Sequence, residues 1–170
     1  MLMRVKILNQ QKIEIEAEIL EGKKFSLPSV REGWRFNFSK HAKTNGAYTY
    51  VLVTLETRDE IEGCLIYKML NNMEPYMAFV EVAPRNRGKD KKYDLVAGCL
   101  IAFACRLSFV LGQGDYKGWL AFEVLEQDKK EELKLMALYS SKYKAKRFDK
   151  THVMLICPED GEALINQYLK

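Results

Sequence analysis

The sequence predicts an α+β fold, and three observations carry that expectation. The opening stretch, Val5 to Leu20, alternates apolar and polar residues with a period of two, as a half-exposed strand does. The most apolar stretch, Tyr93 to Val110, repeats instead every three to four residues, as a helix with a wide buried face does. Shorter strand-like and helix-like segments then alternate, so antiparallel strands come first and a strand–helix–strand crossover follows.

Each element has its own justification. Val5 to Leu20 reads as a strand with a charged, alternating face, seen in Ile13-Glu14-Ile15-Glu16-Ala17-Glu18-Ile19. Glu21 to Thr44 reads as a loop with a short strand: Leu27-Pro28-Ser29 and Gly33 punctuate it, while Trp34, Phe36 and Phe38 alternate with polar residues. Asn45-Gly46 signals a turn into the strand Tyr48 to Thr57, and Thr57 to Glu60 turns into a second strand, Ile61 to Leu70. Asn71 to Pro75 turns again into Tyr76 to Ala83, whose only charged residue is Glu81, as expected for a strand buried on both faces. After the long helix, Gly112-Gln113-Gly114 is a stop signal. Trp119 to Leu125 and Val153 to Cys157 read as strands, Glu131 to Tyr143 as a helix, and Glu159 to Leu169 as helix or coil.

Bulk properties narrow the function classes. A chain of 170 residues supports one core, so residues 1–170 are expected to form a single domain. The net charge of +4 fits an anionic ligand without specifying one. Cys64, Cys99, Cys105 and Cys157 form no Cys-x-x-Cys pair and sit in apolar runs, which reads as free thiols in a reducing compartment. His41 and His152 are far apart, so no metal is expected. The amino terminus Met1-Leu2-Met3-Arg4-Val5-Lys6 lacks the apolar core of a signal peptide, and Leu95 to Leu111 is interrupted by Arg106 and short for a membrane span. A cytoplasmic protein without membrane contact is expected.

The informative junction is Val82-Ala83-Pro84, the loop that follows, and the start of the long helix. Arg85, Arg87, Lys89, Lys91 and Lys92 place five cations within eight residues, and Gly88 permits the turns of a phosphate-wrapping loop. A helix N-terminus just beyond favours anions through its unpaired N–H groups. This junction resembles the coenzyme-A site of the GNAT superfamily of N-acetyltransferases, with small residues Ala97 and Gly98 in the first helical turns. Gly118-Trp119-Leu120-Ala121-Phe122 and Leu135-Met136-Ala137-Leu138-Tyr139-Ser140-Ser141-Lys142-Tyr143 look like that family's fifth strand and following helix. The resemblance covers about residues 61–156 and implies a mixed, mostly antiparallel central sheet flanked by helices.

The family's loop pattern is Gln or Arg, two residues, Gly, one residue, then Gly or Ala. Arg85-Asn86-Arg87-Gly88-Lys89-Asp90 fits until Asp90. A second register, Lys92-Tyr93-Asp94-Leu95-Val96-Ala97, places Ala97 correctly at the helix start and is preferred for the pyrophosphate. The resemblance implies an acetyl-CoA-dependent N-acetyltransferase in which an amine attacks the thioester directly in a ternary complex. Acetyl-CoA is then a co-substrate held by Val82, Ala83, Arg87, Gly88, Lys92, Tyr93, Asp94, Leu95, Val96 and Ala97. The N–H groups near Val82 and Ala83 would polarise the acetyl carbonyl. Glu81 is the expected base, with Glu123 as the weaker alternative, and Tyr139 the expected acid, with Tyr143 one turn beyond.

Trp34, Phe36 and Phe38 are expected in the core, an acceptor pocket being their other reading. The basic run Lys142, Lys144, Lys146, Arg147 and Lys150 reads as a solvated helix end or a contact to the coenzyme's adenosine phosphate. The acceptor is a small-molecule or protein amine, and a homodimer through the edge of the last strand is in view. Two rival readings stand beside the enzyme: a nucleic-acid-binding module using both basic runs with nearby tyrosines, against which the small charge excess weighs, and a GNAT-like binding protein without catalysis.

Overall fold

The alternating segment that opens the chain forms two strands, not one. In the computed structural model, which describes residues 3–170, β1 (Met3–Leu8) and β2 (Glu14–Glu21) pair antiparallel, with Val5 opposite Ala17 and Ile7 opposite Ile15. Met1 and Leu2, which begin the charged amino terminus, lie outside the described residues. The intervening turn contains neither glycine nor proline. Asn9 makes it: its Oδ1 accepts from the N–H of Gln11 (3.0 Å) and of Ile13 (2.9 Å), and Lys12 adopts a φ of 61°.

Between Glu21 and Thr44 the expected short strand does not form among the described residues. The chain makes 3-10 turns at Gly22–Lys24 and Val30–Glu32 and the one-turn helix α1 (Phe38–His41). The next three strands follow the expected hairpins. β3 (Tyr48–Thr54) pairs antiparallel with β4 (Gly63–Leu70), and β4 with β5 (Glu74–Val82). Asn71 and Asn72, at φ of 53° and 59°, close the second hairpin in the left-handed backbone that asparagine tolerates. Burial on both faces belongs to β3 and β4 instead of β5. Val51, Val53, Cys64 and Ile66 pack on one side, and Tyr50, Leu52, Leu65 and Tyr67 on the other. β5 is mostly half-buried because part of it borders an open cleft.

Helix α2 (Val96–Leu111) starts later than its periodicity suggests. Leu8 and Asp94 exchange two backbone hydrogen bonds (3.2 and 2.8 Å), which draws the residues before Val96 onto the end of β1. β6 (Leu120–Glu123), α3 (Lys129–Tyr143), β7 (Lys146–Arg147), β8 (Val153–Ile156) and α4 (Pro158–Tyr168) complete the chain. α3 is capped by Asp128, whose Oδ1 accepts from the N–H of Lys130 (3.0 Å), and ends at Lys144 in the left-handed region.

The sheet order is β1-β2-β3-β4-β5-β6-β8-β7, antiparallel throughout except between β5 and β6. α2 and α4 pack side by side on one face, with Leu100, Phe103 and Leu164 buried against Leu65, Tyr67 and Leu120. A second core on the opposite face joins Trp34 and Phe38 to Val51, Val53, Cys64 and Ile66. The basic run expected as a helix end supplies β7 with Lys146 and Arg147. β8 is therefore not an edge strand, and the exposed edge beside it is a two-residue strand carrying two cations, which disfavours pairing with another copy. Among the described residues no helix is long and apolar enough to cross a membrane.

Candidate active site

β5 and β6 are parallel neighbours that pair at a single position, Tyr76 opposite Ala121, and then diverge. Part of the cause lies in β5 itself. Ile66 faces Phe79 but Tyr67 faces Met77, so Ala78 is an extra residue that bulges the strand. The diverging strands enclose a cavity of about 300 Å³. Met77 to Glu81 form one wall, Phe122 to Glu126 the other, and Leu135 and Tyr139 of α3, with Arg35, Phe36 and Arg87, complete the lining.

The antiparallel ladder with β4 decides which β5 amides face this cavity. Ala83 donates its N–H to the carbonyl of Glu62 (2.9 Å), so it is unavailable to a ligand, contrary to the expectation for it. By strand alternation Glu81 and Phe79 also turn their amides toward β4, which leaves those of Val80 and Val82 on the opposite edge of β5, where Val80 lines the cavity. Among the described residues no strand pairs opposite them, so these two amides are free donors on an open edge.

Tyr139 reaches the cavity from α3, with its ring 5.0 Å from that of Phe122. Burial pushes its phenol above the ordinary value; nearby Glu126 adds to the rise and Arg35 opposes it. The group therefore holds its proton at neutral pH. Tyr143, by contrast, is buried away from the cleft, with its ring 6.3 Å from that of Tyr168. The structure thus separates two tyrosines that the sequence left side by side.

Glu81 lies on the cleft wall, but its carboxylate is fully engaged. Oε2 accepts from the N–H of Arg35 (2.7 Å) and pairs with Arg87, while Oε1 accepts from the N–H of Phe36 (3.0 Å). The residue ties the Trp34–Phe38 segment and the basic loop to the tip of β5. Glu123 is exposed and accepts from the Tyr76 hydroxyl (3.2 Å). Glu126 pairs with the Arg35 guanidinium, which also donates to the Leu125 carbonyl (3.4 Å). Arg35 and Glu126 were not legible as site residues, because the first lies in an irregular segment and the second in the loop after β6. Of the aromatic stripe, Trp34 and Phe38 are core and only Phe36 reaches the cavity, near Phe79 (5.1 Å), on which His41 stacks (4.2 Å).

The basic loop divides into two parts with different donor capacity. In the preferred register, four consecutive amides already have acceptors: Lys92 on the Arg85 carbonyl (2.8 Å), Tyr93 on Asn86 Oδ1 (3.0 Å), Asp94 on the Leu8 carbonyl (2.8 Å), and Leu95 on Asp94 Oδ1 (2.8 Å). Lys92 caps the Tyr93 ring (5.4 Å), and Leu95 holds a φ of 76°. Val96 is buried, Ala97 half-buried, and Tyr168 stands over Gly98. The other register keeps its donors. Among the described residues the amides of Gly88, Lys89 and Asp90 have no acceptor within the protein, and Gly88, at a φ of 75°, has open space around it. Lys89, Asp90 and Lys91 also border a hollow of about 520 Å³ that Lys12 of the β1–β2 turn lines from the far side. Among the described residues there is no group of three or more metal-binding side chains.

No protein-family model and no curated protein sequence matches this chain. Solved structures do match it in shape. The KacTA–DNA complex gives a TM-score of 0.59 at 10% identity, covering 89% of this chain and 99% of that one. AtaTR bound with acetyl-CoA gives 0.55 at 11% identity, covering 88% and 98%. A mutant AtaT toxin bound to the C-terminus of the antitoxin AtaR and acetyl-CoA gives 0.53 at 13% identity, covering 89% and 98%. With so little sequence identity the likeness is one of architecture: this chain has a GNAT-type fold, a mixed and mostly antiparallel sheet flanked by helices.

Proposed function

We propose that this protein is an acetyl-CoA-dependent N-acetyltransferase that holds coenzyme and amine acceptor together and passes the acetyl group directly between them. The observation that carries the reading is the open wedge between β5 and β6. It presents free β5 amides on one wall and a protonated phenol on the other, and Arg87 links it to a cationic loop. The residues present fit the coenzyme in two places. The β5 edge at Val80 and Val82 suits an extended amide-bearing arm, and the free amides of Gly88 to Asp90, with Arg87, Lys89 and Lys91, suit phosphate. Lys92 to Leu95 contribute by fixing the loop, since their amides are engaged.

The coenzyme supplies a thioester, an acyl carbon open to attack with a thiolate as leaving group. Val82 or Val80 orients the acyl oxygen through its backbone N–H and stabilises the negative charge that gathers there. Tyr139 gives its hydroxyl proton to the departing sulfur. Glu81 acts as a strut, and the acceptor's excess proton leaves through water toward exposed Glu123 or half-buried Glu126. Of the three carboxylates around the cleft, Glu81 and Glu126 are paired with Arg87 and Arg35, which leaves Glu123 as the anionic group that favours an acceptor arriving as an ammonium ion.

Adding acetyl-CoA in a thermal-shift measurement tests the reading. Saturation at a hundredfold over Kd stabilises the folded state by about 2.7 kcal/mol, a clear rise in Tm. No rise at millimolar coenzyme would refute it. The engaged state of Glu81 favours a second reading, a coenzyme-binding protein without turnover, which predicts the same rise but no acetylation of any amine panel.

A further inference from the structure

Beneath the basic loop lies a buried carboxylate that the chemistry above does not use. Glu62, just before β4, is 0% exposed. Its Oε1 accepts from Arg85 Nε (3.0 Å) and Asn86 Nδ2 (3.0 Å), and its carbonyl accepts from Asn86 Nδ2 (3.0 Å) and the Ala83 N–H. Asn86, 4% exposed, reaches forward with its Oδ1 to accept from the Tyr93 N–H (3.0 Å). Arg85 closes the other side: Nη2 donates to the Ile61 carbonyl (3.0 Å), and its own carbonyl accepts from Lys92. Both ends of the segment 87–91 are therefore pinned to one buried point at the top of β4. Between the pins stand the unengaged amides of Gly88 to Asp90. Among the described residues Glu62 Oε2 has no hydrogen-bond partner, so the clamp works through a single carboxylate oxygen.

We propose that Glu62 and Asn86 are positioning residues for phosphate binding. They hold the loop in its binding shape before the ligand arrives, and neither touches the ligand. This rests on the coenzyme reading given above. The physical reason is entropic: a loop already closed loses little freedom when phosphate docks, whereas an unpinned one must be ordered by the ligand. Asn86 is the critical member, because one side chain uses its amide donor on Glu62 and its acceptor on Tyr93, which no apolar residue replaces.

The test compares wild type, Asn86→Ala and Glu62→Gln by calorimetry with coenzyme A and with the phosphate-free fragment S-acetylpantetheine. Limited trypsin digestion mapped by mass spectrometry runs in parallel. Asn86→Ala is expected to bind coenzyme A about tenfold more weakly, the loss of roughly one strong hydrogen-bonding group, while its affinity for the fragment stays within about twofold. Cleavage after Arg87, Lys89 and Lys91 should rise about tenfold as the loop opens. Glu62→Gln keeps an acceptor oxygen and should stay within about threefold of wild type. If Asn86→Ala does not fold, Asn86→Ser, which retains a small hydrogen-bonding group, takes its place with the same expected direction. Equal coenzyme affinity and equal loop cleavage in wild type and the Asn86 variant overturn the clamp. Equal weakening toward coenzyme A and the fragment also overturns it, since the effect is then not on the phosphate loop. Wild type that binds neither probe overturns the coenzyme reading, and the loop cleavage rates still show whether the clamp exists.

Discussion

Replacing Glu81 by glutamine separates a base from a strut. Both side chains have nearly the same shape, so packing against the cleft wall is preserved. What changes is the donor count. The carboxylate offers one oxygen to the N–H of Arg35 and the other to the N–H of Phe36; glutamine has one oxygen and turns an NH₂ group toward the second N–H. A part-buried N–H facing a donor costs about 1–3 kcal/mol. The lost ion pair with Arg87, whose side chain is 43% exposed, adds only ~0–1 kcal/mol. The expected total is about 2 kcal/mol, and for a domain of this size each kcal/mol lowers Tm by roughly 2–4 °C, so a fall of about 4–8 °C follows. Differential scanning calorimetry reads it directly. Arg35 and Phe36 should also become mobile, which amide hydrogen exchange at residues 34–38 detects. An unchanged Tm with unchanged exchange would refute the strut. If turnover also collapsed in that variant, Glu81 would be the base after all.

Other expectations follow from the same structure. Tyr139→Phe keeps the ring against Phe122 and should leave Tm and coenzyme affinity nearly unchanged, while turnover of an identified amine falls by about 10²–10⁴, the usual range for a lost general acid; full activity would remove Tyr139 from the mechanism. Gly98→Ala places a Cβ 2.5 Å from Tyr168 Cζ and 2.7 Å from its Cδ1, so overpacking of ~1–3 kcal/mol should outweigh a helix-propensity gain of up to ~1 kcal/mol. Adding Tyr168→Ala should then cancel the clash in a double-mutant cycle by chemical denaturation, and additive effects would contradict it. Burial pushes the thiols of Cys99 and Cys105 from 9.0 up to about 12. Raised values mean that this contribution to stability is complete below pH 9.0 and is lost as pH climbs toward 12, which pH-dependent urea midpoints would show. Of the four cysteines Cys157 alone is half-buried, so a thiol reagent should reach it first in the native state; rapid labelling of Cys99 or Cys105 would show that the α2 core opens.

The sequence by itself determined most of the elements, because their signals are local. Apolar runs rich in β-branched and aromatic residues, bounded by turn signals, marked β3, β4 and β6, and the three-to-four spacing from Val96 onward marked α2, each signal reflecting which faces one element buries. It misread the β1–β2 turn because Asn9 and Lys12 do there what glycine usually does. Through resemblance it assigned Tyr139 and Arg87 to the same chemistry and preferred Tyr139 to Tyr143, one turn apart on α3, without a physical ground for that choice. That ground is supplied by Tyr168, which arrives from α4 and packs with Tyr143, and by the divergence of β6, which leaves Tyr139 at the cavity. The loop shows the same division. Its five cations are written in the chain, yet which amides stay free depends on Asn86, Glu62 and Leu8, residues brought to it from the loop's own start, the residue before β4, and β1. Charge and periodicity are properties of neighbouring residues, whereas the availability of a donor is set by whatever acceptor the folded chain places against it, and only the tertiary structure decides that.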